Sequence, residues 1–177
     1  MALGYGGVIG RTYRESTPWW PEPRRAPEWA PNIVFIVLDD VGFADLGCYG
    51  SEIETPHMDR LAAGGLRYDN FHVTSMCSPT RACLLTGRNA HAVGMGIIAE
   101  WSTGFPAYRG CITKRAATLA EILGDHAYNT VAVGKWHLTP LPEATAAGPF
   151  DYWPLGRGFD RWYGFHGALT DQWHPEL

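Results

Sequence analysis

Asn32-Ile33-Val34-Phe35-Ile36-Val37-Leu38, closed by Asp39-Asp40, is the stretch on which the fold turns. Its apolar run is continuous and rich in β-branched side chains, the composition of a strand covered on both faces of a parallel or mixed sheet. A second run of the same character spans Tyr128 to Val133 and leads into Gly134-Lys135-Trp136-His137. Between them, Thr55-Pro56 reads as a helix cap followed by proline at the first helical position. Met58, Leu61 and Ala62 then form the apolar face up to Gly64-Gly65. Leu66 to Val73 is strand-like, with Phe71 and Val73 on one face. Ser78-Pro79 repeats the cap-and-proline start for a helix over residues 80–86 that Gly87 stops. Thr118-Leu119-Ala120-Glu121 fits a capping box ahead of Ile122, Leu123 and Gly124. Strands alternating with short helices, with no internal repeat, predict an α/β domain.

The remaining composition narrows the class. The chain has 177 residues, with 14 Lys and Arg against 18 Asp and Glu, a net charge of −4. It is 46% hydrophobic and 18% charged, which excludes a disordered chain and a basic nucleic-acid binder. The 21 glycines and 13 prolines require many turns and loops. Residues 1–30 hold prolines 18, 21, 23 and 27 among Trp19, Trp20 and Trp29, a density that forbids regular helix and interior strand. They are expected to form an irregular arm whose tryptophans lie on a neighbouring surface. No apolar run approaches the roughly 20 residues of a membrane span, and no basic-then-apolar leader opens the chain, so the expectation is a cytoplasmic protein with no membrane partner. Cys48, Cys77, Cys83 and Cys111 form no C-x-x-C pair, which removes zinc-ribbon and thioredoxin readings.

Ligands of open α/β sheets gather beyond the carboxyl ends of strands, and two predicted strands end there in polar clusters, Asp39-Asp40 and Lys135-Trp136-His137. Adjacent carboxylates either cap a turn or, with a hard divalent ion, act as oxygen ligands. Cys77 falls just ahead of a predicted helix N-terminus, where unpaired N–H groups favour an anion, and Arg81 returns over the same end one turn later. A thiol there is a candidate nucleophile; a lone cysteine is more often core.

Ser75-Met76-Cys77-Ser78-Pro79-Thr80-Arg81-Ala82-Cys83-Leu84-Leu85-Thr86-Gly87 resembles the type I sulfatase motif, in which Cys-x-Pro-x-Arg directs conversion of the cysteine to formylglycine. Residues 31–43 resemble the first strand and metal-binding Asp pair of that family, and residues 55–62 its first helix. Residues 129–138 resemble its second motif, with Ala127 standing where that motif often has glycine before Tyr128. The tail from Arg157 to Leu177, including Gln172-Trp173-His174-Pro175, is similar to bacterial arylsulfatases.

The resemblance implies the N-terminal portion of an alkaline-phosphatase-like sandwich, a central mixed and largely parallel sheet flanked by helices, over residues 31–177. It implies hydrolysis of small-molecule sulfate esters, with a formylglycine-generating maturation enzyme as partner and Ca²⁺, or Mg²⁺, as cofactor. Asp39, Asp40 and the modified Cys77 would be metal ligands. Cys77, Arg81, Lys135 and His137 would be catalytic, with Lys135 and His137 also on the substrate. The family's later Asp/Asn pair, second histidine and second lysine have no match after His137. A phosphate or phosphonate ester hydrolase of the same superfamily, or a non-catalytic fragment, are the alternatives. His57, His72, His91, His126, His166 and His174 are expected to be structural or surface residues, as are Asp45, Asp69 and Asn70, while Arg88 and His91 are weaker candidates for the cleft lining.

Overall fold

The computed structural model describes residues 4–23, 25–171, 173 and 174. Parts of the N-terminal arm and of the aromatic tail, Gln172 and Pro175 among them, lie outside the described residues.

Three helices form where local signals place them. Helix α1, Pro56–Gly64, carries proline in its first turn. Its Asp59 carboxylate accepts from the Thr55 hydroxyl at 2.9 Å and from the Cys48 N–H at 2.7 Å, fastening the helix to the preceding loop by polar contacts. Helix α2, Cys77–Thr86, ends on Gly87 at φ 63, a left-handed position open to glycine, whose N–H reaches the Cys83 carbonyl at 2.8 Å. Helix α3, Leu119–Asp125, opens with the reciprocal box: Glu121 N–H donates to the Thr118 hydroxyl, and Thr118 N–H donates to the Glu121 carboxylate.

Strands β1, Val131–Lys135, and β2, Arg161–Phe165, pair in parallel, Val131 opposite Arg161 and Gly134 opposite Gly164. A side chain at Gly164 would strike the Gly134 carbonyl, so the strands approach closely here only with glycine at 164, and Gly134 itself sits at a left-handed φ of 93. The core lies beside β1 and α2: Ala82, Val93, Met95, Ala99, Ile112, Ala116, Trp136 and Leu138 are buried together, with Phe159 and Trp162 packed on them. Arg157, buried to 1% exposure, ties this core to α3. Its guanidinium donates to the Ile112 and Ala116 carbonyls, each at 2.7 Å, and pairs with Glu121 at 3.2 Å. Glu121 thereby serves the helix cap and the buried cation at once.

The fold class is as expected, α/β with a parallel strand pair and helices, but the sheet is smaller than the composition suggests. Residues 32–38 carry no regular secondary structure and make no backbone–backbone hydrogen bond among the described residues, and Val34 and Ile36 are nearly four-fifths exposed. Ile33, Val34, Phe35 and Val37 line an apolar groove that they share with Leu84, Leu123, Val131 and Val133. A β-branched run supplies the side chains of a covered strand, but the ladder and the cover must come from other segments, and here neither reaches it. Residues 66–73 fail as a strand for the same reason: Leu66, Phe71 and Val73 are exposed and unpaired. The second predicted strand begins later than Tyr128, because Ala127 takes a left-handed φ of 64 and turns the chain out of α3. That φ accounts for the glycine found at this point in the resembling motif.

In the arm, an antiparallel bridge joins Val8 and Thr17 around a turn at Tyr13–Glu15. Trp19 packs edge-on to Tyr5, whereas Trp20 and Trp29 stand exposed on this chain. Among the described residues no helix is long and apolar enough to cross a membrane, and all four cysteines are free.

Candidate active site

The site forms where β1 ends and α2 begins. Two residues past the strand, His137 turns to a left-handed φ of 58, unusual for a residue with a side chain and a common mark of a functional position. The surroundings enforce it. His137 N–H donates to the His166 carbonyl at 3.1 Å, and its carbonyl accepts from the buried Ser78 hydroxyl at 2.7 Å. The ring is 1% exposed, with Nδ1 at 3.1 Å from Cys77 Sγ and Nε2 at 2.6 Å from Glu100 Oε2. Burial pushes the His137 pKa down; the Glu100 carboxylate pulls it up, Lys135 and Arg81 push it down again, and the net shift is below the usual histidine value. The imidazole is therefore neutral near pH 7, with one bare nitrogen.

Cys77 is the first residue of α2, one position inside the helix instead of just ahead of it, and is half-buried. Ser78, read from sequence as the cap, makes no cap bond and instead holds the His137 backbone.

Arg81, one turn along α2, donates from Nη1 to the Lys135 carbonyl at 2.6 Å and lies 3.5 Å by Nη2 from Asp39 Oδ2. The same oxygen accepts from Lys135 Nζ at 2.8 Å. Burial alone would raise the Asp39 pKa, but the Lys135 hydrogen bond and the nearby cations outweigh it and hold the carboxyl below its usual value. Arg81 Nε is buried without a hydrogen-bond partner, a donor left available in the site. Asp40 is exposed, at a left-handed φ of 52.

The expected residues thus assemble as two linked groups, Cys77 with His137 and Asp39 with Arg81 and Lys135, joined through α2 and the end of β1. Asp40 touches neither group. Arg88 lines a separate cavity with Arg109 and Arg115, and His91 stacks edge-on to Tyr108, so neither joins the site. Glu100 is the site residue that sequence reading missed, brought in by its contact with His137. Its signal was available: it is the single charged side chain in the apolar run Ala92 to Trp101.

Asp39 Oδ2 is engaged by Lys135 and Arg81, and no group of three His, Cys, Asp or Glu side chains converges among the described residues. Ca²⁺ takes six to eight oxygens. Asp39, Asp40 and residue 77 fall short of that, so these residues alone do not make the metal centre that the resemblance implied.

Cys77 at the start of a helix beside the carboxyl end of a parallel strand, with a buried histidine and two cations around it, sits in an α/β fold of the alkaline-phosphatase-like class. The crystal structure of Ps i-CgsB superposes at a TM-score of 0.64 with 34% identity, covering 77% of this chain and 28% of that one. The chain belongs to the sulfatase family, whose model, described as Sulfatase, matches residues 31–177. It is 44% identical to human (Homo sapiens) arylsulfatase A over 138 residues, covering 76% of this chain and 25% of that protein. An uncharacterized sulfatase of Schizosaccharomyces pombe is 42% identical over 144 residues, with 77% and 24% covered. The arylsulfatase of Klebsiella aerogenes is 34% identical over 154 residues, with 86% and 32% covered. The chain therefore spans about a quarter to a third of the length of the curated relatives it matches.

Proposed function

We propose that the protein hydrolyses small-molecule sulfate esters of the arylsulfatase type, with residue 77 as nucleophile after a maturation enzyme has converted its cysteine to formylglycine. The carrying observation is the 3.1 Å contact between Cys77 Sγ and His137 Nδ1 at a point flanked by Arg81 and Lys135. As an aldehyde hydrate, residue 77 would supply two hydroxyls on one carbon, one to attack sulfur and one whose deprotonation frees the sulfate.

The other residues prepare that chemistry. His137, neutral by burial, offers Nδ1 as proton acceptor at the side chain of residue 77. Arg81, fixed by the Lys135 carbonyl, places a permanent cation beside the helix N-terminus. Lys135, hydrogen-bonded to Asp39, adds a second. Together they suit a tetrahedral dianion or monoanion in which negative charge builds on the equatorial oxygens. Asp39 and Asp40 would contribute to a Ca²⁺ or Mg²⁺ site whose remaining ligands lie elsewhere, and no step above runs through it.

In the native host, the mass of the peptide carrying residue 77 should be lower than that of the free-thiol peptide. Turnover of an aryl sulfate should fall by about 10³-fold or more in Cys77→Ala. An unmodified thiol throughout, or undiminished turnover in that variant, would refute the reading. Because the same cations accept any tetrahedral oxyanion, turnover of aryl sulfates is to be compared with that of aryl phosphonates. Faster phosphonate cleavage would assign the protein to that chemistry.

A further inference from the structure

Three elements distant in sequence meet at the His137 ring. Helix α2 brings Cys77, the end of β1 brings His137, and the short turn Ala99–Trp101 brings Glu100. The turn is not a floppy loop. Ala99 is buried in the core at 3% exposure, and Trp101 N–H donates to the Ile98 carbonyl at 3.1 Å, which fixes where the intervening Glu100 points. Its carboxylate makes no ion pair with Lys or Arg among the described residues, so its described polar contact is with His137. An ionised carboxylate only accepts hydrogen bonds, so at 2.6 Å the proton of a neutral imidazole must sit on Nε2.

We propose that Glu100 is a positioning residue that holds His137 in the Nε2-protonated tautomer, leaving Nδ1 bare and aimed at residue 77. The arrangement is that of a nucleophile, a base and a group that orients the base. It rests on the sulfatase reading of residue 77, but uses neither the cation nor the Asp pair. Without Glu100 the buried ring would have no acceptor for Nε2–H, the two tautomers would become closer in energy, and a fraction of the protein would present N–H instead of a lone pair to the nucleophile.

The test compares Glu100→Ala and Glu100→Gln in the mature protein, with an aryl sulfate as substrate and ¹⁵N-histidine NMR as a second readout. The Gln amide oxygen can accept the same Nε2–H. The expected result is a kcat about 10²-fold lower in Glu100→Ala with KM within about twofold, and recovery of about tenfold or more in Glu100→Gln. The spectrum should show Nε2-protonated His137 in the unsubstituted protein and in Glu100→Gln, and a tautomer mixture in Glu100→Ala. Retention of that tautomer in Glu100→Ala, or a Gln variant no better than Ala with both folded, would overturn the proposal. If the unsubstituted protein turns over no sulfate ester, the sulfatase reading fails, and the tautomer measurement still decides the role of Glu100.

Discussion

Residues 131–135 and residues 32–38 are made of similar side chains and lead to neighbouring parts of one site, yet they are held in different ways. β1 pairs with β2 along five residues, has Trp136 and Leu138 in the core just past its end, and passes its last carbonyl to Arg81. The 32–38 run has no ladder and exposes its apolar side chains, and the contacts that bring its end to the site are those of Asp39 with Lys135 and Arg81. Each run is followed by a residue in the left-handed region, Asp40 and His137, but only His137 has its backbone fixed on both its N–H and its carbonyl. The half of the site carrying Cys77 and His137 is therefore built on packed structure, and the half carrying the carboxylates on an ion-pair network.

The contrast can be broken most forcefully on the packed side. Replacing Arg157 by Met removes two hydrogen bonds to carbonyls and leaves Glu121 without its cation. We expect a loss of about 3–5 kcal/mol in urea-induced unfolding of the chain, and a loss below about 1 kcal/mol would mean that this region is not the stable one.

A smaller, pH-dependent effect is expected from His166, whose ring lies against Trp153 and Trp162 at centroid distances of 4.0 and 4.6 Å with both nitrogens buried and unpartnered. Burial holds its pKa below the usual 6.5, so the unfolded chain takes up a proton that the folded chain refuses. This contribution to stability is full above pH 6.5 and declines as pH falls below it, through the lowered folded value. His166→Phe should flatten that acid limb in thermal melts recorded from pH 7 downward, and an unchanged slope would count against it. The smallest effect belongs to the open side. Ile36→Thr should change stability by less than about 0.5 kcal/mol, and a larger loss would show that the run is covered in solution after all.

What could be read from sequence follows the same division. α1, α2 and α3 were legible because their signals are local: proline in the first turn, a reciprocal box at Thr118, glycine at a left-handed stop. Cys77 with Arg81, and Lys135 with His137, could be singled out as candidates because each pair lies within four residues, whereas the meeting of the two pairs, with Cys77 and His137 60 positions apart, was expected from the resemblance alone. The strand over 32–38 was over-read, since composition reports what a segment would bury and not whether anything arrives to bury it. β2 went unread, its Arg161-Trp162-Tyr163-Gly164-Phe165 lacking β-branched residues and holding a glycine that only the pairing explains. Glu100 was hidden because its partner stands 37 positions away on another element.

The facing glycines of the two strands act as a key for alignment. If β2 slid by one residue in either direction, Tyr163 or Phe165 would replace Gly164 opposite the Gly134 carbonyl, where no side chain fits. The steric block lies one residue from Lys135 and three from His137, so it sets the height at which both side chains leave the sheet. Alignment of Lys135 and His137 with α2 is thus enforced by an absence of atoms, at a place that itself offers no functional side chain.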